Sequence, residues 1–112
     1  MKILPSKNIS DAYHIVFDFS DTLYVEDIES ATVMVDYFSG LGGNPASEII
    51  DGVPVVSGLT VKQKLKQGGV PYTTYKLKCI AFISTGDILT KEAVISVDGY
   101  MSDGSESFST TP

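Results

Sequence analysis

Tryptophan is absent from this 112-residue chain, cysteine and histidine occur once each, as Cys79 and His14, and acidic residues outnumber basic ones 14 to 8. Each shortage excludes something. One cysteine rules out an internal disulfide and cannot by itself hold zinc. One histidine, with no serine or cysteine placed by a motif to work with it, leaves nucleophilic catalysis without a base. A formal charge of −6 opposes general nucleic-acid binding, which needs a basic surface to replace phosphate counterions. No stretch approaches the ~18 apolar residues of a membrane helix, and the N-terminus lacks a charged region followed by an apolar one, so a soluble chain without a secretion signal is expected. Helical periodicity longer than one or two turns is missing too.

Hydrophobic residues are plentiful at 43%, and a chain of this length supports one core. The strongest pattern runs from Tyr75 to Val97. Tyr75, Leu77, Cys79, Ala81 and Ile83 alternate, Ser84-Thr85-Gly86-Asp87 breaks the run, and Leu89, Ala93, Ile95 and Val97 share one parity. The two-residue period around a glycine-containing turn predicts a long β-hairpin. Cys79 falls on its inner parity and is expected to be a buried, structural thiol.

Other strands follow from the same rule. Tyr13, Ile15, Phe17 and Phe19 line one face of a core strand, with His14, Val16 and Asp18 opposite. Ala31–Phe38 has large residues on both faces, as a central or partner-covered strand would. Val53–Ser57 is short, and Pro54 confines it to an edge. Thr60–Lys66 alternates Val61, Gln63 and Leu65 with Thr60 and three lysines, Lys62, Lys64 and Lys66. These lysines, with Lys76 and Lys78, read as solvated guards against edge pairing rather than a nucleic-acid patch, because no aromatic is interleaved to stack a base.

Two loops invite chemistry. The acids Asp18, Asp21, Glu26, Asp27 and Glu29 do not follow the spacing of a calcium loop; Ser20–Glu29 fits a long connection or a short extra strand, and a solvated acidic loop is expected. Ser39-Gly40-Leu41-Gly42-Gly43-Asn44 is glycine-rich, but no lysine followed by serine or threonine closes it, so a turn is expected, not a phosphate cradle.

About seven short strands separated by Gly, Pro, Asn and Asp predict an all-β, antiparallel, Ig-like β-sandwich over residues 11–98, with flexible arms at both ends. The N-terminal arm, 1–10, lies across the body or reaches a neighbour; Pro5 forbids a strand there except at an edge. The C-terminal tail, 99–112, is rich in Ser, Thr, Gly and Asp. Tyr75, Cys79 and the strand after them resemble the last two strands of an immunoglobulin-type domain, although the tyrosine stands four residues before the cysteine, where the usual corner has it two before.

Phe17-Asp18-Phe19-Ser20, the run G-G-V-P-Y-x-x-Y-x-L-x-C from Gly68 to Cys79, Ser84-Thr85-Gly86-Asp87 and Ala93–Val97 together resemble a family of small tailed-phage virion proteins with an Ig-like fold, described as fiber-tail adaptors or head-tail region proteins. The resemblance covers roughly residues 10–98. It implies a structural protein in several copies at a phage neck or tail, made in the host cytoplasm, joining fibers to a neck, tail or portal protein, with no catalysis, cofactor, metal, nucleic acid or membrane. The expected anchors to partners are the apolar residues of the arms, Ile3, Leu4, Tyr100, Met101 and Phe108. The alternative is a free-standing sandwich that binds a carbohydrate or small ligand, with Tyr24, Tyr37, Phe38 and Tyr72 as stacking groups.

Overall fold

The computed structural model describes residues 2–21, 27–39 and 43–98. Among them are seven strands and one short helix: β1 (Lys2–Ile3), β2 (Tyr13–Asp18), β3 (Ile28–Ser39), α1 (Pro45–Ile49), β4 (Val55–Ser57), β5 (Thr60–Leu65), β6 (Thr74–Ile83) and β7 (Ile88–Ser96). They form a four-stranded sheet in the order β1-β7-β6-β3 and a three-stranded sheet in the order β2-β5-β4. Every pairing between named strands is antiparallel except β1 with β7. The two sheets make a β-sandwich in which the first strand joins the sheet of the last.

The predicted hairpin is the centre of the fold. β6 pairs with β7 from Thr74↔Ser96 to Phe82↔Ile88 and with β3 on its other side, so Tyr75, Leu77, Cys79 and Ala81 have no exposed surface. The turn closes through Gly86, at φ +95°, whose N–H donates to the Ile83 carbonyl at 2.9 Å. Facing this sheet, Ile15, Phe17, Val61 and Leu65 from β2 and β5, with Phe19 just beyond β2, complete one core with Ala93, Ile95 and Val97. Each large side chain so buried contributes about 1.5–3 kcal/mol.

The tyrosine four residues before Cys79 does form a corner. The Val70 N–H donates to Tyr75 Oη at 2.9 Å, fastening the β5–β6 connection to the start of β6 as in the immunoglobulin corner. At Gly69 φ is +99° and a Cβ would lie 3.0 Å from a Val97 methyl, so glycine is favoured where this connection passes the end of β7.

Three expectations change. Residues 2–10 take one of the two courses expected of the arm and lie across the body, but as part of the sheet: β1 runs parallel to β7, the Leu4 and Lys7 N–H groups donate to Val94 and Ser96 carbonyls at 2.9 and 2.8 Å, and Lys7 is fully buried. Its Nζ donates to the carbonyls of Asn8 at 3.1 Å and Gly68 at 3.0 Å, and burial holds its pKa below the usual lysine value, with Asp11 opposing. Pro5 interrupts the ladder, which resumes at Lys7↔Val97, in keeping with an edge position. Second, β3 begins at Ile28, not Ala31, because a register shift between Ile28 and Ser30 lets the polar Glu29-Ser30 pair stay in the strand. Third, the glycine-rich segment does lead into a helix, α1, with Asn44 as N-cap and Pro45 in its first turn. The C-terminal tail, with Tyr100, Met101 and Phe108, lies outside the described residues.

Candidate docking surfaces

The predicted partner anchors separate. Leu4 packs against the core and is used by the molecule itself, whereas Ile3 is 81% exposed. The proposed stacking residues do not converge either: Tyr37 and Phe38 face opposite sides of β3, Tyr72 stands exposed with φ +64°, and Tyr24 lies outside the described residues.

Tyr37 belongs instead to a carboxylate clamp. Glu48 of α1 accepts the Tyr37 hydroxyl at 2.8 and 2.9 Å, the Tyr75 hydroxyl at 2.8 Å and the Gly43 N–H at 3.0 Å. The two rings, opposite each other on β3 and β6, lie 5.7 Å apart. Burial, then the hydrogen bonds to Glu48, push Tyr37 up to about 12, and burial chiefly does the same to Tyr75. Burial would also raise Glu48, but its hydrogen bonds together outweigh that and hold its carboxyl below the usual range. Two tyrosines kept neutral as donors to one carboxylate make a brace, not an acid–base pair. The Gly43 and Ser47 N–H groups are given to Glu48 and Asn44; residues 40–42 of the glycine-rich loop lie outside the described residues.

The remaining chemical candidates stand apart from one another. Cys79 is fully buried, and burial pushes its thiol up to about 12, far from a reactive thiolate. His14 is exposed on β2. Asp18 accepts the Ser20 N–H at 2.9 Å and Asp21 pairs with Lys91 at 2.9 Å; among the described residues no three His, Cys, Asp or Glu side chains gather to hold a metal. Lys62 and Lys64 stand on the outer face of one sheet and Lys76 and Lys78 on that of the other, so the lysines form no common patch. No helix among the described residues is long and apolar enough to cross a membrane.

What the fold does offer is edges, and their treatment is unequal. β1 is two residues long and precedes Pro5; β4 is three residues long and follows Pro54. Beside β2, a groove of about 490 Å³ runs between the sheets, with Leu4, Ile15 and Phe17 inside and Lys2, Asp18 and Lys91 around it. Short strands, prolines and edge charges all discourage pairing with another chain. β3 has twelve residues with no lysine, proline or glycine, pairs among the described residues only with β6, and is regular from Ser30 to Tyr37, its register shifts falling at the two ends.

The inner row of β3 is apolar, and its outer face carries Met34 and Phe38 among Ser30, Thr32 and Asp36. Because β4 is so short, the facing sheet leaves Ala31, Val33, Val35 and Tyr37 only half-buried. Met34 is 55% and Phe38 58% exposed on the outer face, and Val53, just before β4, and Val55, within it, stand exposed. Periodicity alone had noted the two-sided character of this strand; what it could not supply was which strand would be left at the edge. No protein-family model and no curated protein matches the chain.

Proposed function

We propose that the chain is a non-enzymatic structural protein of a tailed-phage virion, an adaptor that joins tail fibers to the neck or tail in several copies. The observation that carries the assembly role is the unguarded twelve-residue edge of β3, flanked by half-buried and exposed apolar side chains. A strand in this condition is a template on which another chain gains main-chain hydrogen bonds while its side chains set specificity. The resemblance of Phe17–Ser20, Gly68–Cys79 and Ala93–Val97 to small virion proteins supports the phage setting. Partners in this reading are a neck, tail or portal protein, a fiber, and further copies; nucleic acid and membrane play no part.

The test is made on particles. Virions grown without this chain should lack attached fibers and regain them when it is supplied, and the protein should sediment with purified particles in several copies. Fully fibered virions grown in its absence would remove the adaptor role.

A further inference from the structure

We propose that β3 pairs with β3 of a second copy, antiparallel about a two-fold axis through Met34, so that two four-stranded sheets become one of eight strands. This deepens the assembly reading and rests on it for its biological setting, though not for its chemistry.

The register follows from the strand's own sequence. In an antiparallel pair, residues directly opposite share a face, and a slip of one residue would turn every inner side chain outward. Centring on Met34 sets Met34 against Met34, Val33 against Val35, Ala31 against Tyr37 and Thr32 against Asp36. The inner row is then apolar on both copies over the whole regular stretch, extending the core past the point where β4 stops covering it. Moving the axis to Val33 would set Tyr37 against Glu29; moving it to Val35 would set Asp36 against Met34.

Charge agrees with this choice. On the outer face Lys76 is paired with Glu92 at 3.6 Å, whereas Lys78, beside Met34 on β6, and Asp36 make no ion pair among the described residues. Within its own sheet Asp36 lies opposite Lys76 and diagonal to Lys78; the two-fold sets the second copy's Asp36 opposite Thr32, twice per dimer, so that no like charges face each other across the new pairing. An isologous contact of this kind closes on itself, so a long open edge gives a dimer and not a fibre.

The experiment uses the full chain. Met34→Cys should cross-link to itself under mild oxidation, since directly opposed residues lie about 4.5–5.5 Å apart between Cα atoms, within disulfide reach. Val16→Cys, equally exposed on β2, should not, and Cys79 is too buried to interfere. Sedimentation at low salt should show Thr32→Lys tightening the dimer about fivefold and Thr32→Asp loosening it about as much, because each places a charge opposite Asp36 on both sides of the axis. Neither substitution should alter the far-ultraviolet spectrum of the monomer. Wild-type protein that stays monomeric to ~1 mM, cross-linking through Val16→Cys instead of Met34→Cys, or Thr32→Lys and Thr32→Asp acting alike would each overturn the pairing. Dimerisation with this register supports it whatever the particle experiment gives, so the two proposals fail separately.

Discussion

Replacing Tyr75 by Phe removes one oxygen and tests the corner that ties the sheets' connections together. Tyr75 is fully buried; its hydroxyl accepts the Val70 N–H at 2.9 Å and donates to Glu48 at 2.8 Å. The ring stays, so no cavity of consequence opens. The loss is one neutral hydrogen bond and one to a charged group, net about 0.5–1.5 and 1.5–3 kcal/mol. Val70 is half-buried and Glu48 keeps Tyr37 and Gly43 as donors, which favours the lower end, about 2–3 kcal/mol. That is a large share of the ~5–15 kcal/mol that holds an ordinary domain, and corresponds to a fall in Tm of about 10 °C or more. Urea titration of the single variants and of Tyr75→Phe combined with Glu48→Gln would show coupling of about 1 kcal/mol between the two sites. A Tyr75→Phe protein melting within about 3 °C of the parent would refute the claim that this corner braces the fold.

Phe17→Ala should cost about 3–5 kcal/mol by emptying the core beneath β2, checked by urea titration; a midpoint close to the parent's would mean that Phe17 is not packed as described. Cys79 should resist thiol reagents at neutral pH in the folded protein and react once it unfolds, while Cys79→Ala costs on the order of 1 kcal/mol. Gly69→Ala should lose about 1–3 kcal/mol, from backbone strain at positive φ together with its contact on Val97. Stability should fall as pH rises from about 9 towards 12: Tyr75 and Cys79 titrate near 12 in the fold against ordinary values of 10.0 and 9.0, so the unfolded chain loses those protons first and is favoured. Lys7, whose folded pKa is depressed, acts in the opposite sense, and Lys7→Met should steepen the alkaline decline in urea midpoint.

The parts of the fold legible in the sequence were those governed by nearest-neighbour alternation. Tyr75 to Ile83 and Leu89 to Val97 announced the hairpin because every inner residue is apolar, and Cys79 could be placed inside by parity alone. Pro54 and Pro5 marked edges for a backbone reason that needs no partner. What escaped was set by contacts distant in sequence. Lys7 reads as a solvent-facing residue of a polar arm, yet it is buried because carbonyls of its neighbour Asn8 and of Gly68, 61 residues away, receive its amino group. Glu48 looks like an isolated acid, and its role depends on two tyrosines of separate strands. The local signal for α1 was present in Asn44-Pro45, a cap followed by proline in the first turn, but five residues carry no periodicity. The docking surface was half visible: the large residues on both faces of Ala31–Phe38 asked for a cover on each side, and only the strand order, with β3 outermost among the described strands and β4 too short to reach along it, shows which side of the described sandwich is left open.

Amide hydrogen exchange along β3, compared between dilute protein and the assembled state, tests the central claim most directly. Backbone groups of Ser30–Tyr37 that point away from β6 have no strand partner among the described residues. The account predicts that alternate amides of this stretch exchange rapidly in dilute solution and slow by at least tenfold on assembly, while β2 amides are unchanged. Rapid exchange along β3 in the assembled state, or new protection confined to β2, would contradict it.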